Sequence, residues 1–430
     1  MKKTWVAVGA TLALLGVSWV GASVLVGMKT QDTLKSLTVR DTSQKSNPWR
    51  VSQVTQERGL FQSKGQLELV LSPDCQAQDE EDLTFQVSYT LEHLPMPSGL
   101  ARFSWQLAPQ GDDAQEFKSV FGSASPLTGQ GVLDFGGAVR SSLNLPAVAM
   151  RRSGEMLEIS PTTGMFAMDG QKMVLATKID RLVVRGRDEA LSIQGLAMDL
   201  EVDDLRKGTG SGSFKVAQAS TTLGSLDGLE LRMEAKEKGD RMNMSLTPSV
   251  SKLEASGQTL TDLRMQWAVN GLHTESVESL IQLFDSSCGV QALTAQENKV
   301  AAQALRTLLV KGFSVGMPTL TGKTDTGRLE GALWVELQAA NGSDPSLVEQ
   351  LKSHGKLEIE GSFITPDQRE MAVATGFAVK QGNALSATYD YARGLLKVNN
   401  RSMDASIFEG MLQQTDQQLR LALESLQKRP

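Results

Sequence analysis

Gly312-Phe313-Ser314-Val315-Gly316 is a segment whose residue types and spacing could do covalent chemistry. The pattern G-x-S-x-G places a serine nucleophile on a sharp turn between a strand and a helix. Here the apolar spacing before the motif is helical and the spacing after it alternates, so Ser314 leaves a helix and enters a strand. His354 follows without a supporting pattern, and the segment reads as a helix-to-strand junction. Gly322-Lys323-Thr324 has the ending of a phosphate-binding loop, but five residues separate Gly316 from Gly322 where that loop needs four. A turn between two strands accounts for it.

Metal chemistry needs ligands clustered at short spacing. His93, His273 and His354 stand far apart. The acidic run Asp79-Glu80-Glu81-Asp82 lacks the alternating ligands and the glycine of a calcium loop, and Glu201, Asp203 and Asp204 read as a solvated strand end. No catalytic, cofactor-binding or metal-binding residue is assigned, so the expectation is a protein that is not an enzyme and uses no cofactor. Cys75 and Cys288 are the two cysteines. In an oxidising compartment they could form one long-range disulfide. The alternative is that Cys288, which falls on an apolar helical stripe, is a small buried hydrophobe.

The elements that must position these residues begin with an uncharged run. Lys2 and Lys3 precede a stretch from Thr4 to Met28 with no charged residue, carrying Trp5, Leu12, Leu14, Leu15, Val17, Trp19, Val20, Val24, Leu25 and Val26. As a helix, Trp5 to Met28 would extend about 36 Å, against a hydrocarbon core of about 30 Å. A cleavable signal needs an apolar region of only about 7–15 residues. The reading is therefore an N-terminal transmembrane anchor over 1–28, with cleavage after Val20-Gly21-Ala22 as the alternative. The lysine pair places the N-terminus in the cytoplasm, although Lys29 and Lys35 weaken the contrast.

The whole chain has 430 residues, 40% of them hydrophobic, which is enough for two subdomains or one elongated sheet. Its 43 Lys and Arg against 49 Asp and Glu give a net charge of −6, and no basic stretch is long enough to track a phosphate backbone. Nucleic acid is excluded as a partner on that ground.

After a polar spacer over 29–55, alternation of period two recurs through a β-rich domain over 56–272. Examples are Leu67, Leu69 and Leu71; Leu229, Leu231, Met233 and Ala235; Met242, Met244 and Leu246; and Leu263, Met265, Trp267 and Val269. Lys238-Gly239-Asp240 and Lys380-Gln381-Gly382-Asn383 read as hairpin turns. Across Gly195 the apolar phase shifts from Leu191 and Ile193 to Leu196 and Met198, which suggests a bulge.

The period becomes helical over 273–312. Val277, Leu280, Ile281, Phe284 and Cys288 form one face, and Val300, Ala304, Leu305, Leu308 and Leu309 form a second. A β-rich continuation over 313–400 and a C-terminal helix and tail over 401–430 complete the chain. The fold class expected is mainly β, within α+β. It comprises an extended curved antiparallel sheet with an inserted helical pair, preceded by one N-terminal transmembrane helix.

Three segments carry a likeness to a known family: the Lys2-Lys3 anchor; Arg58-Gly59-Leu60-Phe61 leading into an alternating strand; and Tyr391 to Asn399 with Met403 to Met411 behind it. In their order along the chain, together with the Leu309-Val310-Lys311-Gly312 junction, they resemble the YdgA/YihF family of bacterial envelope proteins, whose function is unknown. The resemblance implies a Gram-negative, single-pass inner-membrane protein with its body in the periplasm. It brings no catalytic residues.

With location legible and chemistry absent, the leading expectation is a structural or scaffolding envelope protein that binds other envelope proteins or a second copy of itself. The alternative is binding or transfer of lipid or another apolar ligand through a curved β-sheet groove, for which 17 methionines offer adaptable lining.

Overall fold

Alternation dictates most of what the chain builds. In a computed structural model, the structure describes residues 49–58, 62–71, 83–92, 101–110, 127–134, 136–152, 155–186, 190–286, 293–342 and 344–428. The anchor residues of 1–28 lie outside the described residues, as do Cys75, Cys288, His93 and the acidic run at 79–82. Among the described residues no helix is long and apolar enough to cross a membrane. The described chain is mainly β and divides into two compact units between Leu205 and Arg206.

The first unit holds β1 (Trp49–Arg58), β2 (Gln62–Leu71), β3 (Leu83–Glu92), β4 (Ala101–Pro109), β5 (Leu127–Leu133) and β6 (Val139–Leu145). It continues with β7 (Val148–Arg152), β8 (Glu155–Ile159), β9 (Thr162–Asp169), β10 (Lys172–Arg185) and β11 (Ala190–Asp204). Strand structure thus begins at Trp49, ahead of Gln56 and inside the stretch read as spacer. The strands pair antiparallel in the order β1-β2-β3-β4-β5-β6-β9-β10-β11, and the β7–β8 hairpin joins β10 beyond β9.

On β4, Ala101, Phe103, Trp105 and Leu107 face inward between exposed polar residues, and β6 repeats the pattern with Val139, Ser141, Leu143 and Leu145. Leu67, Leu69, Leu107 and Phe166 are each at most 1% exposed. Each such side chain contributes about 1.5–3 kcal/mol of burial. This unit therefore closes its own core. Gly65, Gly129 and Gly131 sit under the rings of Tyr89, Trp105 and Phe103 on the next strand, where a Cβ would meet ring atoms within 2.4 Å. Trp105 finishes the arrangement by donating Nε1–H to Ser141 Oγ at 3.0 Å.

The second unit begins with β12 (Thr209–Thr221), β13 (Gly224–Lys238), β14 (Arg241–Ala255) and β15 (Gln258–His273). The helices α1 (Thr274–Ser286) and α2 (Ala295–Lys311) follow, then β16 (Phe313–Thr324), β17 (Gly327–Leu337), α3 (Leu347–Gln350) and β18 (Leu351–Glu360). The chain ends with α4 (Pro366–Ala374), β19 (Val379–Gln381), β20 (Ala384–Ala392), β21 (Leu395–Val398), β22 (Arg401–Met403) and α5 (Ser406–Lys428). The pairing is a meander from β12 to β18, extended by β20, β21 and β22.

Local chemistry sets the helix boundaries. Thr294 and Glu297 form a reciprocal capping box at the start of α2, and Gly312 at φ 71° ends it. Asp404 caps α5 by accepting the Ser406 N–H at 2.9 Å. Arg393 and Gly394, both at positive φ, turn β20 into β21.

The phase shift at Gly195 has a cause other than a one-sided bulge. Ile179 pairs with Leu196 and Arg181 with Gln194, so the register is the same on both sides and each strand carries one extra residue at the same level. Gly195 absorbs the kink at φ 62°. The same device crosses the second unit. Leu226, Leu253 and Leu260 form one row and Leu229, Val250 and Leu263 the next, each strand stepping by three residues instead of two. Gly228 at φ 64° and Asp262 at φ 52° flank Ser251 in this crease, which keeps the apolar residues on one face across it. Lys323 Nζ pairs with Asp262 Oδ2 at 3.0 Å.

At the other end of these strands Gln350 joins three backbone segments. Its Nε2 donates to Leu309 O at 2.9 Å and Gln338 O at 2.6 Å, and its Oε1 accepts from Ser346 N at 2.6 Å. The side chain is 4% exposed. Gln350→Leu strands those backbone groups away from water and is expected to lower unfolding free energy by about 2 kcal/mol, measured by urea denaturation. A variant as stable as the parent would remove this role.

Candidate functional site

Strand alternation gives the second unit two unlike faces. On β13 the even positions Glu230, Arg232, Glu234 and Lys236 form one face, and Lys215 of β12 pairs with Glu230 across strands. The hydrogen bond from Arg232, aided by its charge, holds the Glu230 carboxyl below the usual carboxylate range. Lys252 and then Ser225 do the same for Glu254. These contacts are exposed and are worth little in stability. What they establish is that this face is wetted.

The odd positions from Leu229 to Ala235 are apolar, and Met233 among them is exposed. Met233 pairs in register with Leu246, and Leu246 with Trp267. One row along, Met244 pairs with Val269, Val269 with Val315, and Val315 with Val335. Leu357 of β18 sits opposite Gly331, whose missing side chain lets Leu357 approach Leu320 of β16. Met233, Met244, Leu246, Trp267, Val315, Val335 and Leu357 are each between 36% and 46% exposed. Contrast the first unit, where equivalent inward residues are almost fully buried. Scattered exposed apolar side chains are ordinary, but a contiguous set in register is not.

With the helices in place these seven side chains keep that exposure. α2 packs against β15 and α5, and α5 against α3. From β13 to β18 the face extends about 24 Å at about 4.8 Å per strand step.

The residues singled out from sequence do not assemble into a site. Ser314 lies in β16 between Asn270 and Glu336, whereas His354 of β18 belongs to the row of Gly316 and Trp334. Gly322-Lys323-Thr324 ends β16 at the turn into β17, as the strand reading expects. His273 Nδ1 lies 2.9 Å from Ser276 Oγ at the start of α1. Among the described residues no group of His, Cys, Asp or Glu could hold a metal ion. The open apolar rows were visible in sequence as alternating runs, but alternation alone does not say whether the apolar side is covered.

The profile of a bacterial protein family of unknown function, DUF945, matches residues 1–366. No curated protein and no solved structure matches the chain.

Proposed function

Starting from the fact that the chain belongs to the DUF945 family of bacterial proteins of unknown function, we propose that it binds lipid acyl chains along the open apolar face of its second unit. The in-register exposure of Met233, Leu246 and Trp267 beside Met244, Val315 and Val335 carries this reading. One leaflet of a bilayer is about 15 Å of hydrocarbon, and the face is longer than that. Methionine, leucine and valine make a lining that adapts to a chain without specifying its head group. At about 25 cal/mol per Å² of apolar surface removed from water, covering such a face is a substantial driving force.

The N-terminal run from Thr4 to Met28 fits the same proposal as a single-pass anchor in a bacterial inner membrane, with the body on the periplasmic side. The likeness to YdgA/YihF envelope proteins agrees with that placement. A scaffolding role would leave the open face to a protein partner. The acyl reading is favoured because from β13 to β17 the named rows carry Met, Leu, Trp and Val, with a polar side chain only at their β18 end, Ser353.

Purifying the full-length protein in a detergent-free nanodisc and titrating a fluorescent fatty acid tests the proposal. Saturable uptake, competed by unlabelled fatty acid, is the expected result. Uptake indistinguishable from that of empty nanodiscs would sink it.

A further inference from the structure

The first unit carries a second surface that the acyl reading does not use. A concavity of about 830 Å³ lies over β1 to β6. Across it runs one cross-strand row in which Gln66 pairs with Ser88, Ser88 with Gln106, Gln106 with Thr128, and Thr128 with Asn144. A second row, two residues along each strand, aligns Lys64 with Thr90, Thr90 with Ser104 and Ser104 with Gln130. Among the lining residues, Glu57 and Lys64 alone carry charge, and they are cross-strand partners whose charges offset.

This is not the composition of an ordinary wetted sheet face. The polar face of the second unit, in the same chain, is a ladder of Lys, Arg and Glu. Here, beyond the Glu57–Lys64 pair at one end of the second row, the rows hold amides and hydroxyls, groups that both donate and accept hydrogen bonds without drawing a counter-ion. They repeat at about 4.8 Å between strands and about 6.8 Å along them. The matching ligand has closely spaced groups that also donate and accept, carries no net charge, and is long enough to cross several strands. We infer that this concavity binds a neutral, polyhydroxylated chain, that is, an uncharged oligosaccharide.

Trp105 lies on the intervening level of the sheet, paired with Tyr89 and Gly129 between the two rows, with its indole turned to the buried side. Full-length protein is titrated with maltohexaose and chitohexaose, following heat release, with oligogalacturonate as the acidic control and hexa-alanine as the peptide control. Saturable binding of at least one neutral hexasaccharide is expected, at least tenfold tighter than either control. Gln106 and Gln130 are exposed, so the double variant Gln106→Ala, Gln130→Ala should melt with the parent and bind at least tenfold more weakly. Absence of saturable binding by both neutral sugars, equal or tighter binding of a control, or unchanged affinity in the double variant would each overturn the inference. Should the double variant melt early, Thr90→Val, which removes one hydroxyl from the second row at constant shape, replaces it with the same readouts. Fatty-acid uptake by the second unit is measured in parallel and should be untouched, since none of these residues belongs to that face.

Discussion

Exchanging both Leu246 and Trp267 for aspartate is expected to reduce uptake of a fatty-acyl probe at least a hundredfold while leaving the melting transition within a few degrees of the parent. The two residues are direct cross-strand partners, 37% and 46% exposed, so neither substitution empties a closed core. Substitutions at such surface positions usually change stability by about 0.5 kcal/mol or less, and two aspartates directly opposite each other add repulsion of about 0.2–1 kcal/mol. A carboxylate against a bound acyl chain loses its hydration without gaining a partner, and tenfold in affinity corresponds to about 1.4 kcal/mol. Two carboxylates in one row therefore give about a hundredfold even if each costs only this minimum. The comparison variant is Lys236→Ala with Glu234→Ala on the opposite face, which removes an exposed ion pair and should leave uptake unchanged. If both double variants bind acyl probe as the parent does, the apolar face is not the site.

The same rows show what a sequence can and cannot disclose. Leu229 to Ala235, Met242 to Leu246 and Leu263 to Val269 read as half-buried strands, and they are strands. The helical spacing over 273–312 likewise became α1 and α2, because periods of 3.6 and 2 are local properties of the chain. Whether an apolar row is covered depends on elements distant in sequence, so the openness at Trp267 and Val335 was not legible. The polar rows of the first unit were hidden for a related reason. Gln66, Ser88, Gln106, Thr128 and Asn144 are unremarkable where each stands, and register alone brings them into line. α4 is not legible as a periodic segment because Pro366–Ala374 is short and weakly amphipathic, held by the capping box of Thr365 and Gln368. The start of strand β1 is hidden because Asn47-Pro48 and the polar residues after it resemble a linker.

The crease lies between these extremes. Each alternating run noted on β13 and β15 begins at Leu229 or Leu263, the first apolar residue beyond the kink. The phase break is therefore present in the sequence on several strands and not at Gly195 alone. Its meaning depends on pairing, since a single extra residue in one strand would turn every later side chain to the opposite face. Matched extra residues in neighbouring strands leave the face intact.

Gly228→Val is the substitution that tests this device most severely, and it is expected to cost about 4 kcal/mol or more. Gly228 holds φ at 64°, a conformation that β-branched residues rarely adopt. A Cβ there would also meet Ser251 Oγ at 2.4 Å and Ser251 Cβ at 2.9 Å on the neighbouring strand. The two penalties separate in a double-mutant cycle with the smaller change Gly228→Ala. Ser251→Gly relieves the overlap but not the backbone strain, so it should recover about 1–2 kcal/mol of the Gly228→Ala loss while being mildly destabilising alone. Urea unfolding of the four chains measures the coupling. Additive losses would mean that Gly228 and Ser251 do not meet across the crease. If Gly228→Val were tolerated without loss, the left-handed kink itself would be absent, and with it the reason that the apolar rows on either side share one face.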